Sequence, residues 1–229
     1  MTKEYPKPLL RVKNKPILEY IIEKLEAADK ANEIFVVTNS KFIAKFRQWK
    51  KTFKSKARVT LVDDRTKSNV DRLGAIGDVN FVINKKRVKE DVLVIGGDNL
   101  FSGSLSKFLK FARNNKPAAT IGLYKLKNLK DASRYGVAKL DKDNRVVYFE
   151  EKPKKPKSRL VAMCLYYIPF ECLGLIKEYI RVQKKADATG NYIDWLKDKI
   201  KTFGFVFKGS WYDIGDFKYL NEAKNNFAK

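Results

Sequence analysis

The chain is predicted to fold as an α/β protein, on three observations. Short β-branched runs alternate with longer amphipathic ones along its 229 residues. Two of those runs, EIFVVT over 33–38 and DVLVIG over 91–96, are apolar enough to be buried strands. From about residue 125 to 167 strands follow one another with no helical period between them. The expectation is a mostly parallel sheet between helices in the first half, with an antiparallel insertion over 125–167.

Taken in order, the first helix is carried by Ile17, Leu18, Ile21, Ile22 and Leu25, an apolar stripe on one face. Pro16 stands near its start, where a proline is tolerated. No strand precedes this helix, although a βαβ arrangement expects one to feed it. After the 33–38 strand come a helix over 41–53, a strand over 58–62 and a helix over 76–86. The 91–96 strand leads to a helix over 105–114, with Ser104 placed to cap it. Weaker strands are expected over 118–124, 135–140, 145–149, 160–167 and 203–207, and further helices over 169–180, 192–201 and 217–227. No internal repeat or low-complexity linker interrupts the pattern, so one domain over 1–229 is expected.

Composition removes several classes. Hydrophobic residues make up 44% of the chain, enough for a sizeable core, so a disordered tail or collagen-like fibre is excluded. No apolar run approaches the roughly 20 residues of a membrane helix. The start, MTKEYPKPLL, has no apolar stretch behind a basic end, so no signal peptide is expected. Cys164 and Cys172 are too few for a disulfide framework, and a reducing cytoplasm is the expected setting. With no histidine, a His-based triad, general base or zinc site is ruled out. The net charge of +23 would favour polyanions. Its densest clusters, Lys50, Lys51, Lys54 and Lys56 and then Lys152, Lys154, Lys155 and Lys157, are not interleaved with aromatics as a base-stacking surface would be. Solvated faces explain most of this excess, and nucleic acid stays a minor alternative.

Ligands of open α/β sheets sit beyond the carboxyl ends of strands. Two such places carry suggestive groups. VLVIGGDN ends a strand in Gly96 and Gly97, which allow close approach, and then Asp98. Residues 211–216 (WYDIGD) put Asp213 between aromatics and a glycine turn. Two carboxylates meeting at one crevice suit Mg²⁺, which prefers oxygen ligands and keeps several waters. The plainer reading makes Asp98 a turn cap and Asp213 a surface bend. Pro6 and Pro8 hold Lys7 in an extended segment, ready for phosphate. Glu151 and Lys152 end a strand side by side, an acceptor for hydroxyls beside an ammonium for phosphate, or else a solvated ion pair. The loop over 68–78 runs into a helix, and its Gly74 would admit a planar ring.

In this order the segments YPKPLLRVKNKPILEYIIEKL, IFVVTN, LGAIGD, VIGGDN, YGVAKLD, FEEKPKKP and WYDIGD are more telling than any one alone. The chain resembles the sugar-phosphate nucleotidylyltransferases, the glucose-1-phosphate thymidylyl- and uridylyltransferase family, over nearly its whole length. The resemblance implies a three-layer α/β/α nucleotide-binding sandwich with a mixed sheet, in which 125–167 is a sugar-binding insertion. It also implies Mg²⁺-dependent joining of a nucleoside triphosphate, dTTP or UTP, to a sugar 1-phosphate with release of pyrophosphate. The sugar-phosphate oxygen attacks phosphorus directly, so the protein aligns groups and neutralises charge without a nucleophile of its own.

By the same resemblance Lys7 neutralises phosphate near the reacting centre, and Asp98 and Asp213 bind Mg²⁺. Leu73 and Gly74 belong to the loop that contacts the base; Gly136, Glu151 and Lys152 hold the sugar and its phosphate. Arg72 stands where many members carry a small residue, and Cys164 where a T-G-L-Y-type strand would have glycine. The family's opening strand and G-x-G-T-R-L phosphate loop lie before the position of Met1. About 20 residues, one strand plus that loop, are therefore expected ahead of it. Without that strand, backbone groups along 33–38 and 91–96 would go unmet, each at about 1–3 kcal/mol. No repeat domain is expected after the helix that follows WYDIGD, and a homo-oligomer stays open. The alternative reading is a catalytically silent paralogue that binds a nucleotide sugar or regulates a partner. A glycosyltransferase is disfavoured, because Asp63 and Asp64 are adjacent and Asn99 follows Asp98, so no Asp-x-Asp is formed.

Overall fold

Each apolar run forms the element its period predicts, with ends displaced by a few residues. The computed structural model describes residues 4–28, 33–68, 70–183 and 188–227. Met1 and the first residues of the segment before Lys7 lie outside these, as does Asn69 of the 68–78 loop. In chain order the elements are β1 (Arg11–Val12), β2 (Lys15–Pro16), α1 (Ile17–Ala27), β3 (Glu33–Thr38), α2 (Ile43–Thr52), β4 (Arg58–Asp63), α3 (Ala75–Lys86), β5 (Val92–Ile95) and β6 (Asn99–Phe101). They continue with α4 (Leu105–Asn114), β7 (Ala119–Lys125), β8 (Gly136–Leu140), β9 (Val146–Glu151) and β10 (Leu160–Ile168). The last are α5 (Leu173–Gln183), α6 (Thr189–Lys199), β11 (Thr202–Phe207), β12 (Trp211–Asp213) and α7 (Phe217–Asn226). The hairpin β1–β2 and the short strands β6 and β12 were not predicted, since two or three residues carry no readable period.

The chain forms two compact units, the first made of Met1–Leu73, Gly97–Ser106 and Gly209–Lys229. In it β3 and β4 pair in parallel, in register from Glu33 with Arg58 to Thr38 with Asp63. Leu18 and Ile22 of α1 and Phe46 and Trp49 of α2 pack with Val36 and Val59 into one core. The Trp49 indole N–H donates to Glu19 at 2.8 Å, so this large ring is buried without leaving its polar atom unmet. A separate two-stranded ladder, β6 against β12, is antiparallel. It is followed by α7, whose N-cap Asp216 accepts from the Tyr219 N–H at 3.1 Å.

The second unit, Gly74–Gly96 with Lys107–Lys208, holds a six-stranded mixed sheet in the order β11-β7-β10-β8-β9, with β5 also on β10. Only β7–β11 is parallel there. The predicted α/β class with a mixed sheet is therefore found, but parallel pairing is confined to β3–β4 and β7–β11 among the described residues. β5 pairs antiparallel with β10 instead of joining a parallel first-half sheet. The reason lies in β10. One of its edges carries β7, and the other is divided between β8 at Leu160 and Val161 and β5 at 165–168. A bulge between Ala162 and Tyr166 makes the changeover, and Cys164 within it has φ +50. That left-handed backbone favours glycine, the residue the resemblance expected there. Both β3 and β5 have a single strand neighbour among the described residues, and every residue of β5 is half-buried although all four are apolar.

Helices α3, α5 and α6 cover this sheet through Ile76, Ile176, Tyr179, Tyr192, Ile193 and Leu196. On β11, Phe205 and Phe207 receive Phe108 of α4, with ring centroids 5.7 and 5.6 Å apart. Next to the turn that follows α4, Asp91 accepts from the Tyr167 hydroxyl, from the Phe170 N–H at 3.0 Å and from the Lys116 ammonium at 3.0 Å. Burial alone would raise its carboxyl, but these donors outweigh burial and hold it below the usual range.

Two outcomes follow from these contacts. Phe108→Ala should destabilise the protein by about 3–5 kcal/mol, read from the urea midpoint, because a fully buried ring is lost from an aromatic stack. Asp91 is depressed in the folded state, so its contribution is complete above its unfolded pKa and vanishes as pH falls through the folded one. Asp91→Asn should therefore lower Tm at pH 7 more than at pH 3, and an equal loss at both would reject the ionic account.

Candidate functional site

The first cluster is assembled by backbone before any side chain takes part. Gly97 leaves room for the Pro6-Lys7-Pro8 segment: a Cβ on Gly97 would come within 2.9 Å of Pro8 Cγ. Lys7 was expected in an extended stretch but opens a short 3₁₀ turn, Lys7–Leu9. Pro6 stays extended at its N-cap, and Pro8 fits because its missing N–H would have no partner in a first turn. From there Lys7 Nζ reaches Asp98 Oδ2 at 3.2 Å. Their side chains are 30% and 29% exposed, so the pair adds little stability and chiefly fixes two orientations.

Asp213 arrives through the β6–β12 ladder. Its Cα partner is Asn99, and the next residue, Ile214, donates its N–H to the Asp98 carbonyl at 3.0 Å. The two predicted carboxylate residues are thus neighbours across one ladder, with Lys7 on the first. Between them stands Asn99, 3% exposed, which sequence reasoning quoted within VIGGDN and gave no role. Its Oδ1 accepts from the Trp211 indole N–H at 2.7 Å, and its Nδ2 lies 3.3 Å from Asp98 Oδ1.

The donor set can be tested against a divalent cation. Mg²⁺ takes carboxylate oxygens and keeps most of its waters, so two aspartates on neighbouring backbone positions, both part-exposed, match in kind the protein contribution it needs. No group of three or more His, Cys, Asp or Glu that could hold a metal occurs among the described residues, which excludes an all-protein cage but not this kind of site. The residues present fit a hydrated hard cation.

A second cluster forms in the other unit. Gly136 opens β8 and is the Cα partner of Glu151, which closes β9; Lys152 follows at φ +49, its N–H donating to the Tyr135 carbonyl at 3.0 Å. The Glu151 side chain is only 17% exposed and lies 3.9 Å from the Lys152 ammonium. It rests against two glycines. A Cβ on Gly190 would collide with Oε2, and one on Gly136 would come within 3.0 Å of it. Burial pushes the Glu151 carboxyl up, and Lys152 offsets only part of that. Thr189, beside Gly190 in the first turn of α6, accepts from the Tyr166 hydroxyl at 3.2 Å and lies 3.9 Å from Cys164 Sγ. Gly190 and Thr189 were not singled out from sequence; their signal is an isolated A-T-G-N ahead of an amphipathic run.

The predicted base-loop pair, Leu73 and Gly74, falls where the chain passes from the first unit to the second. Leu73 is 37% exposed, and Gly74 is the N-cap of α3 at φ +77, a conformation only glycine adopts freely.

Comparison with known proteins adds independent findings. The family model described as Nucleotidyl transferase matches residues 1–229. A bifunctional protein GlmU of Methanocaldococcus jannaschii is 28% identical over 94% of this chain and 47% of its own length. A glucose-1-phosphate adenylyltransferase of Fusobacterium nucleatum is 30% identical over 72% of this chain and 45% of its own length. The chain thus spans about half the length of the curated relatives it matches. Among solved structures, one assigned as a glucose-1-phosphate thymidylyltransferase from Bacillus anthracis superposes with TM-score 0.78 at 22% identity, over 100% of this chain and 91% of that one. A UDP-glucose pyrophosphorylase complexed with UDP-glucose gives 0.79 at 19% identity, over 98% and 90%. These two show a shared fold.

The buried carboxyl gives a test with a definite sign. A carboxyl raised in the folded state binds its proton more tightly there, so folding loses stability as pH climbs from the unfolded pKa through the folded one. Glu151→Gln should therefore raise Tm at pH 8 relative to wild type and leave it little changed at pH 4. A Tm lowered equally at both would reject a burial penalty at this position.

Proposed function

Because the chain belongs to the nucleotidyl transferase family, we propose that it joins a nucleoside triphosphate to a sugar 1-phosphate, giving a nucleotide-diphosphate sugar and pyrophosphate. The observation that supports this reading is the contact of Lys7 with Asp98 on a strand end whose ladder partner, β12, carries Asp213. In the proposed reaction an oxygen of the sugar phosphate forms a bond to the α-phosphorus as the bond from that phosphorus to pyrophosphate breaks. No redox change and no enzyme nucleophile are needed, which suits a chain without histidine.

Asp98 and Asp213 would hold Mg²⁺ at the triphosphate. The ion would supply charge neutralisation on the phosphoryl oxygens. Lys7 would contribute a second positive charge there once its ammonium exchanges Asp98 for phosphate. Leu73 and Gly74 would meet the base, the bare backbone of Gly74 allowing a flat ring to lie close. Glu151 would accept hydroxyl protons of the sugar beside Gly136, while Lys152 meets its phosphate, so 125–167 would act as the sugar-binding insertion. Among triphosphates dTTP and UTP follow from the resemblance, and ATP belongs in the panel because a curated relative is named an adenylyltransferase.

Pyrophosphate release from ATP, dTTP, UTP and CTP with glucose 1-phosphate and related sugar phosphates tests the reading. Turnover with at least one pair is expected. Nucleotide-sugar binding without release from any pair would favour the silent paralogue instead. In an active form, Asp98→Ala and Asp213→Ala should each cut turnover by at least about a hundredfold with the fold intact. Lys152→Ala should raise KM for the sugar phosphate with a smaller effect on kcat. Full activity in both aspartate variants would reject the cation assignment.

A further inference from the structure

Asn99 is the best-buried polar side chain next to the predicted carboxylates, and its two hydrogen bonds have one consistent orientation. An indole N–H can only donate, so the amide must turn Oδ1 toward Trp211 Nε1, at 2.7 Å. Its Nδ2 then faces Asp98 Oδ1, at 3.3 Å. The other carboxylate oxygen, Oδ2, takes Lys7 Nζ at 3.2 Å. Each oxygen of Asp98 thus has one donor of a different kind. The amide is a neutral group held at 3% exposure inside the ladder, and the ammonium is a charge on a side chain 30% exposed. A cation or phosphate can draw Lys7 away without disturbing Asn99.

We propose that Asn99, oriented by Trp211, is the positioning residue for Asp98, fixing the carboxylate plane so that Oδ2 is the oxygen presented to a divalent cation. This rests on the cation reading above and adds to it the residues that set the geometry. Trp211 acts at one remove. It stands at the Cα partner position of Phe101, one end of the ladder whose other end pairs Asp213 with Asn99. The same three-residue strand therefore supplies the second carboxylate and the donor that orients the support of the first. Outer partners of this kind commonly change metal affinity by about 10–100-fold when removed.

The test uses Mn²⁺ alone as probe, with affinity read by calorimetry and by electron paramagnetic resonance on the protein without nucleotide or sugar phosphate. Asn99→Leu, similar in size but without polar atoms, should weaken Mn²⁺ binding about 10–100-fold. Trp211→Phe keeps an aromatic ring and loses only the N–H, and it should weaken binding in the same direction by less. Thermal melts identify folded variants, and Trp211→Phe carries the test if Asn99→Leu does not fold. Wild-type affinity in folded Asn99→Leu or in Trp211→Phe, with binding lost in Asp98→Ala, overturns the positioning role and leaves the proposed reaction standing. A wild-type protein that binds no Mn²⁺ overturns the positioning role and the cation assignment together. Graded loss of Mn²⁺ affinity in a protein that releases no pyrophosphate supports the positioning role while counting against the reaction.

Discussion

Three residue pairs of antiparallel ladder, Asn99 with Asp213, Leu100 with Tyr212 and Phe101 with Trp211, hold together the chemistry of the first unit. The pairing continues past both strand ends. Ile214 N–H reaches the Asp98 carbonyl on one side, and Ser102 N–H reaches the Ser210 carbonyl at 3.0 Å on the other. Ser210 N–H returns the contact to Ser102 Oγ at 2.8 Å, and Gly209 at φ +95 turns the chain into this arrangement. Two-stranded ribbons are marginal alone. This one is braced by Tyr20 of α1 and Tyr212, both edge-on to Phe227 just past α7, at 5.5 and 6.3 Å. Remove the ladder, and Asp98 and Asp213 are simply two carboxylates far apart in sequence.

The second cluster is organised by volume instead of by hydrogen bonds. Glu151 lies where two glycines leave space, and its carboxyl is buried at a cost in folded-state stability. Such a penalty is tolerated where a partner for the carboxylate arrives later, and sugar hydroxyls have the right character for one. Cys164 carries a related strain, a side chain on left-handed backbone at the bulge where β10 exchanges one neighbour for another. The two clusters thus differ in kind. One is held by a buried amide and a part-exposed ammonium, and the other keeps a largely buried carboxylate, only partly offset by Lys152, in a shaped gap.

Much of this was legible in the amino-acid sequence, for physical reasons that can be named. A helical stripe marked α1, and short apolar runs marked β3 and β5, because burial leaves a pattern in the sequence. Lys7, Asp98, Asp213, Glu151 and Lys152 were singled out because glycine and proline punctuate the chain around them, and Gly136 through the resemblance alone. What escaped lacks either signal. β6 and β12 are too short to show alternation, and Asn99 looked like any turn residue after an aspartate. The antiparallel attachment of β5 depended on β10 having a vacant stretch of edge, a matter of length along another strand, which no local pattern records. Gly190 was passed over because a single glycine at a helix start reads as a loop until its neighbour across the fold is known.

The first unit is built from three separate stretches of chain, and the last of them, Gly209–Lys229, contains β12. During synthesis β3, α2 and β4 can pair as soon as they emerge, since their contacts are local. β6 must wait while more than a hundred further residues are made, because its partner Trp211 Nε1 lies 112 positions after Asn99. Closing so wide a loop is slow, and the contacts that reward it come only at the end. The second unit, whose strands β7 to β11 follow one another closely, can be complete by then. The aspartate pair therefore cannot form until the stretch from Gly209 onward has been made, long after β3, α2 and β4 are able to pair.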